Sequence, residues 1–133
     1  MTDIVATVRI EAPPHVVFPY FTDPALIVAW IGERADLDPH PGGRFFLDFG
    51  TVAASGEYRV IDPPHRVVFS WGIPGSGDLP PGASTVEVVL TADGPATVVV
   101  LTHHGLSASH LDGHRTGWHD QLGRLQTVSA VRA

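Results

Sequence analysis

The chain has 133 residues, a hydrophobic fraction of 44% and a formal charge of −6, which fits one domain over residues 1–133 able to bury a core without covalent staples. The absence of cysteine excludes disulfides, thiolate nucleophiles and cysteine-based metal sites, and the basic residues, all arginine and scattered from Arg9 to Arg132, form no patch suited to nucleic acid. No basic start leads into an apolar stretch, and no run approaches the roughly 18 apolar residues of a membrane span, so a cytoplasmic protein with no membrane partner is expected.

Ile4 to Glu11 alternates, with Ile4, Ala6, Val8 and Ile10 on one face and Thr7, Arg9 and Glu11 on the other, as in a half-buried strand. Ala12-Pro13-Pro14 breaks it and opens a short apolar helix over His15–Phe21, which Pro19 should bend or shorten because it lacks a backbone donor. Asp23 with Pro24 predicts the start of a second short helix running through Leu26 to Trp30. After the turn-rich stretch 38–43, strands are predicted over Arg44–Phe49, Gly56–Asp62, Arg66–Ile73 and Ser84–Thr91. Pro63-Pro64 separates the second from the third of these, and the Gly/Pro-rich stretch 74–83 is a loop. Asp93-Gly94 is a hairpin signal leading into a strand over Thr97–Thr102. Strands joined by short turns argue for an antiparallel meander.

The end of the chain has a different period. Leu111, His114, Trp118, Leu122, Leu125 and Val128 recur at steps of three and four, one face of an amphipathic helix that Ser107 or Ser109 could cap.

This order, with particular residues at particular places, resembles the activator of Hsp90 ATPase homologue 1-like family of the START/Bet v 1-like (SRPBCC) superfamily. The segments that carry the likeness are Ile10-Glu-Ala-Pro-Pro14 with Val17-Phe18, Thr22-Asp-Pro24 with Trp30, and Pro41-Gly-Gly-Arg-Phe45. They continue with Pro63-Pro64 and Val67-Val-Phe-Ser-Trp71, Ser84-Thr-Val86, Leu101-Thr-His103 with Gly105, and Gly117-Trp118 with Leu122 and Leu125. The resemblance implies an α+β helix-grip fold: a curved antiparallel sheet of about six to seven strands wrapped around a long C-terminal helix, two short helices after the first strand, and a cavity between sheet and helix. Many members carry a second tryptophan where this chain has Ile31, and Pro19 is a further departure.

In the family's register, Phe45, Leu47 and Phe49 point inward from one strand, and Phe69 and Trp71 from the next. Val88, then Leu101 and His103, do so from the last two, with Trp118 and Leu122 facing them from the helix and Trp30 as a gate. These are the candidate ligand-binding residues. Simple mutual packing is the competing reading for each. His103 and His114 fall where the family pattern carries histidine, and each could serve to fix the strand–helix corner, with His103 alternatively a polar anchor for a ligand.

His110 and His114 share a helix face at the spacing of a joint metal ligand pair, but Leu-Asp-Gly between them lacks the glutamate of metalloprotease helices and no third ligand converges, so no metal is expected. Among the carboxylates, Glu33, Asp36 and Glu57 are those within reach of a pocket rim. No nucleophile or phosphate-cradling motif occurs. The expectation is a binding domain for a small hydrophobic molecule, without cofactor, monomeric or homodimeric. The alternatives are a superfamily enzyme of cyclase, hydrolase or dehydratase type using a pocket histidine or carboxylate, and a protein-interaction or co-chaperone-like module.

Overall fold

The computed structural model describes residues 3–130. Seven strands form one antiparallel sheet: β1 (Ile4–Ile10), β2 (Arg34–Leu37), β3 (Arg44–Asp48), β4 (Ala53–Asp62), β5 (Arg66–Trp71), β6 (Ser84–Asp93) and β7 (Ala96–His104). Their order across the sheet is β1-β7-β6-β5-β4-β3-β2, a meander from β2 to β7 that β1 extends at the far edge. Two short helices, α1 (Pro14–Val17) and α2 (Pro24–Ile27), follow β1, and the long α3 (Ala108–Ala130) lies against the inner face of the curved sheet. This is the helix-grip arrangement. No helix among the described residues is long and apolar enough to cross a membrane.

Local chemistry explains the departures from the sequence-based elements. The helix expected over His15–Phe21 stops at Val17, and Phe18–Phe21 continues as a tighter 3-10 turn with Pro19 in its first positions, where a missing donor costs least. The second helix ends at Ile27 rather than Trp30; its start is as expected, with the Asp23 carboxylate accepting the Ala25 N–H at 2.8 Å. β2 was not predicted, because Arg34-Ala-Asp-Leu37 offers only two inward positions, Ala35 and Leu37, and sits at the sheet edge. β4 begins at Ala53, three residues before Gly56. There a Cβ would lie 1.9 Å from the Ser70 carbonyl oxygen, so this glycine permits close approach of β4 to β5 rather than starting a strand. β5 ends at Trp71, two residues short of Ile73.

In the middle of the sheet the inner side chains pack directly on one another. Phe45 stacks on Phe69 with ring centroids 3.9 Å apart, and Tyr58 meets Phe45 edge-on at 5.5 Å. The Tyr58 hydroxyl donates to the Phe21 carbonyl at 2.8 Å, which ties the short helical segment to the middle of the sheet. Leu47, Val88 and Leu101 complete this layer, with Leu122 and Leu125 covering it from α3. Complete burial of each such side chain stabilises the fold by about 1.5–3 kcal/mol. Near the C-terminal end of α3, Gln126 Nε2 donates to the Arg9 carbonyl at 2.7 Å, satisfying part of the open edge of β1.

Candidate functional site

Toward the N-terminal end of α3 the packing opens into a groove of about 360 Å³. Its sheet side is made by Ala53 and Ala54 of β4, with Trp71 and Ile73 at the end of β5. Ile31, Phe49 and Val52 close one flank. On α3 the groove exposes Gly113, His114, Gly117, Trp118 and Gln121, a stripe at helical spacing displaced from the buried stripe of Leu122 and Leu125. A Cβ at Gly113 or Gly117 would meet nothing within 4 Å. The groove therefore exists partly because two positions of the helix, and two alanines opposite, carry little or no side chain. A wider hollow of about 580 Å³ lies between β1 and α3, lined by the apolar Ile4, Ala6, Val8 and Leu122 together with the polar Arg9, Arg115, His119 and Gln126.

The aromatic end wall is held by two histidines in fixed neutral tautomers. Trp118 Nε1–H donates to His103 Nδ1 at 2.9 Å, so the His103 proton sits on Nε2 and is donated to Ser84 Oγ at 2.9 Å. The Ser84 hydroxyl passes its own proton to the Trp71 carbonyl at 2.8 Å. His114 Nδ1–H donates to the His110 carbonyl at 2.9 Å, which leaves Nε2 to accept Trp71 Nε1–H at 3.2 Å. Both imidazoles resist protonation. Burial, reinforced by the neighbouring His114 and His104, pushes His103 down to about 3, and burial lowers His114 as well, against the opposing pull of its hydrogen bond to the His110 carbonyl.

At the mouth of the groove, the loop between β5 and β6 reaches the start of α3 through Asp78. Its carboxylate binds His110 Nε2 at 3.1 Å, accepts Ser109 Oγ–H at 3.0 Å and accepts Ser76 Oγ–H at 3.0 Å. These three contacts hold Asp78 down to about 2, the His110 bond contributing most. Chemically, the site presents an apolar, aromatic-walled groove with an Asp–His pair at its rim and no charged residue on its interior walls.

The model of the family described as "Activator of Hsp90 ATPase homolog 1-like protein" matches residues 11–130. The chain belongs to this family. Among solved structures of the family's fold, an AHSA1-like protein from Rhizobium etli is 41% identical, with 97% of this chain and 83% of that one aligned at a TM-score of 0.73. DynU16, described as a protein in the dynemicin biosynthetic locus, is 26% identical at a TM-score of 0.81 over 94% of this chain, which spans 46% of DynU16. An uncharacterised protein of Schizosaccharomyces pombe is 32% identical over 69 residues; the match takes in 52% of this chain but only 20% of that protein. This AHSA1-like fold is that of a ligand-binding domain in general terms.

Of the residues singled out from sequence, Phe49, Trp71 and Trp118 stand on the groove wall. Phe45, Leu47, Phe69, Val88, Leu101 and Leu122 are buried members of the hydrophobic core and do not line this groove. His103 is fully buried behind Trp118, with both ring nitrogens engaged. Trp30 is 2% exposed, its Nε1–H donates to the Tyr20 carbonyl at 2.9 Å, and its ring meets Phe21 at 5.3 Å; the next residue, Ile31, faces the groove. Glu33, Asp36 and Glu57 are absent from the walls, and Asp36 pairs instead with Arg44. His110 and His114 do lie side by side, at 5.7 Å between ring centroids, but their hydrogen bonds run to Asp78, the His110 carbonyl and Trp71. No group of three metal-ligating side chains occurs among the described residues. Gly113, Gly117 and Gln121 on the walls, and Asp78 bonded to the rim residues Ser109 and His110, were not marked by the sequence as parts of a site. The two glycines four apart in an otherwise amphipathic helix were the available signal, since glycine costs helix stability and needs a reason.

Proposed function

We propose that the groove binds a small, uncharged, predominantly apolar molecule, and that this is the protein's biochemical role. The observation that carries the reading is the groove of about 360 Å³ with Trp71 and Trp118 together on its end wall and Gly113 and Gly117 on its helix side. Ligand sites are typically apolar concavities with a few polar groups, and glycine in a helix interior sacrifices stability that alanine would supply. Membership of a fold built for holding ligands supports the same reading, as does the likeness to DynU16 from a biosynthetic locus.

The test is a titration of tryptophan fluorescence with apolar aromatic compounds, since two of the three tryptophans flank the groove. Saturable quenching is expected in the wild type and loss of it in Gly117→Leu, whose side chain would occupy the space. An unresponsive wild type across such a panel, or equal binding by the filled variant, overturns the reading.

A second reading is favoured by one observation, the Asp78–His110 pair at the mouth. A carboxylate-oriented imidazole can act as a general base toward a bound carbonyl compound. Asp78→Asn and His110→Gln would then abolish turnover while leaving affinity within about twofold, a split expected of a group that acts in the transition state alone. A co-chaperone role rests on the family description.

A further inference from the structure

Among the described residues, two buried side-chain polar atoms have no hydrogen-bond partner, Gln121 Oε1 and Tyr20 Oη, and of these only Gln121 lines the groove. A polar atom shut away from water and left unpaired is destabilising, and native structures seldom tolerate it without a purpose. Of the other polar groups on the walls, His114 uses both ring nitrogens and Ser109 is bonded to Asp78, while His110 engages Asp78 through Nε2 alone and stands at the rim. Gly117, one turn earlier on α3, places no side chain over the amide.

We propose that Gln121 is the specificity-determining residue of the groove, selecting neutral, ring-shaped apolar molecules that carry a hydroxyl group; this rests on the groove being a ligand site. The hydroxyl follows from the amide, because a group that both donates and accepts satisfies Gln121 in either orientation of its oxygen and nitrogen. Neutrality follows from walls without an ionised side chain, since a charge would be desolvated there unpaired. Ring shape follows from Trp71 and Trp118, whose indoles stand 5.1 Å apart at a 53° tilt and offer flat surfaces on the end wall. A ligand that brings the hydroxyl recovers the cost of the unpaired Oε1 once the flexible Gln121 side chain turns it into the groove, so matched molecules with and without the hydroxyl should be told apart at this contact.

The experiment compares 2-naphthol with 2-methylnaphthalene, which share a shape and differ in hydroxyl against methyl, by calorimetric titration of wild type and Gln121→Leu at pH 7. The expected result is that the affinity ratio moves toward 2-methylnaphthalene by about tenfold in the variant, the size of one buried hydrogen bond lost together with its penalty. Binding of 2-methylnaphthalene should be as tight or tighter in the variant, which also reports an intact groove. If the Leu variant does not melt cooperatively, Gln121→Met, of similar length and flexibility, carries the same comparison. An unchanged ratio overturns the role of Gln121 and leaves the groove as a binding site. Failure of both probes to bind the wild type overturns the ligand-site reading and this inference with it.

Discussion

The two ends of the interface between α3 and the sheet are built from the same elements and behave oppositely. At the closed end Phe45 stacks on Phe69 at 3.9 Å and the rings leave no room for a guest between them. At the open end Ala53, Ala54, Gly113 and Gly117 are among the residues lining a groove of about 360 Å³. Side-chain volume is one difference between the two, aromatic rings at the closed end against glycine and alanine at the open end. The groove owes its space to residues that are small.

The comparison can be broken first at the closed end. Phe69→Ala should cost roughly 3–5 kcal/mol in denaturant unfolding, because it removes a stacked ring from a layer with no slack. The same size of loss at a groove position would erase the distinction between the ends.

Acid tests the wall that joins them. His103 is held down to about 3 when folded, against an ordinary value of 6.5, so the unfolded chain binds the extra proton first. Its contribution to stability is fully present above about pH 6.5 and is lost as pH falls toward 3, at up to about 1.4 kcal/mol per pH unit. His114 adds to the loss in the same direction. Unfolding midpoints measured from pH 7.5 to 4.5 should show this slope, and His103→Gln should flatten it. A slope unchanged in that variant would mean that other groups set the acid limit.

The open end should respond with the opposite sign. Gly113→Ala and Gly117→Ala are each expected to raise stability by about 0.5–1 kcal/mol, since a methyl meets nothing and alanine favours the helix. Both should weaken binding of an aromatic probe in the same preparations. The smallest effect is expected at Val52, a rim residue left 45% exposed: Val52→Ser should leave stability within about 0.5 kcal/mol while lowering probe affinity. Destabilisation by the glycine substitutions would show that these positions are packed and that the groove is narrower than its walls imply.

Much of the fold was legible because burial imposes a period. The alternation in Ile4–Ile10 and the steps of three and four from Leu111 to Val128 each report which face meets the core, and both hold in the structure. β2 was hidden because four residues with two inward positions carry too little pattern, and Gly56 was misread because a close approach to Ser70 leaves the same mark in sequence as a turn. The site was legible in part. Phe49, Trp71 and Trp118 could be named from register, but register cannot tell a side chain that fills a space from one that borders it. Asp78 gave no sign of its role, since its partners lie more than thirty positions away at the start of α3.

By itself, then, the sequence determined the sheet, the long helix and the faces they turn toward each other, because those follow from hydrophobic periodicity within single elements. Only the tertiary structure decided where the interior stays open, which tryptophans border the opening, and that Gln121 Oε1 has no partner among the described residues. An empty space is the difference between volumes contributed by residues far apart in the chain, here Ala53 and Ala54 against Gly113 and Gly117, and no local pattern encodes that difference.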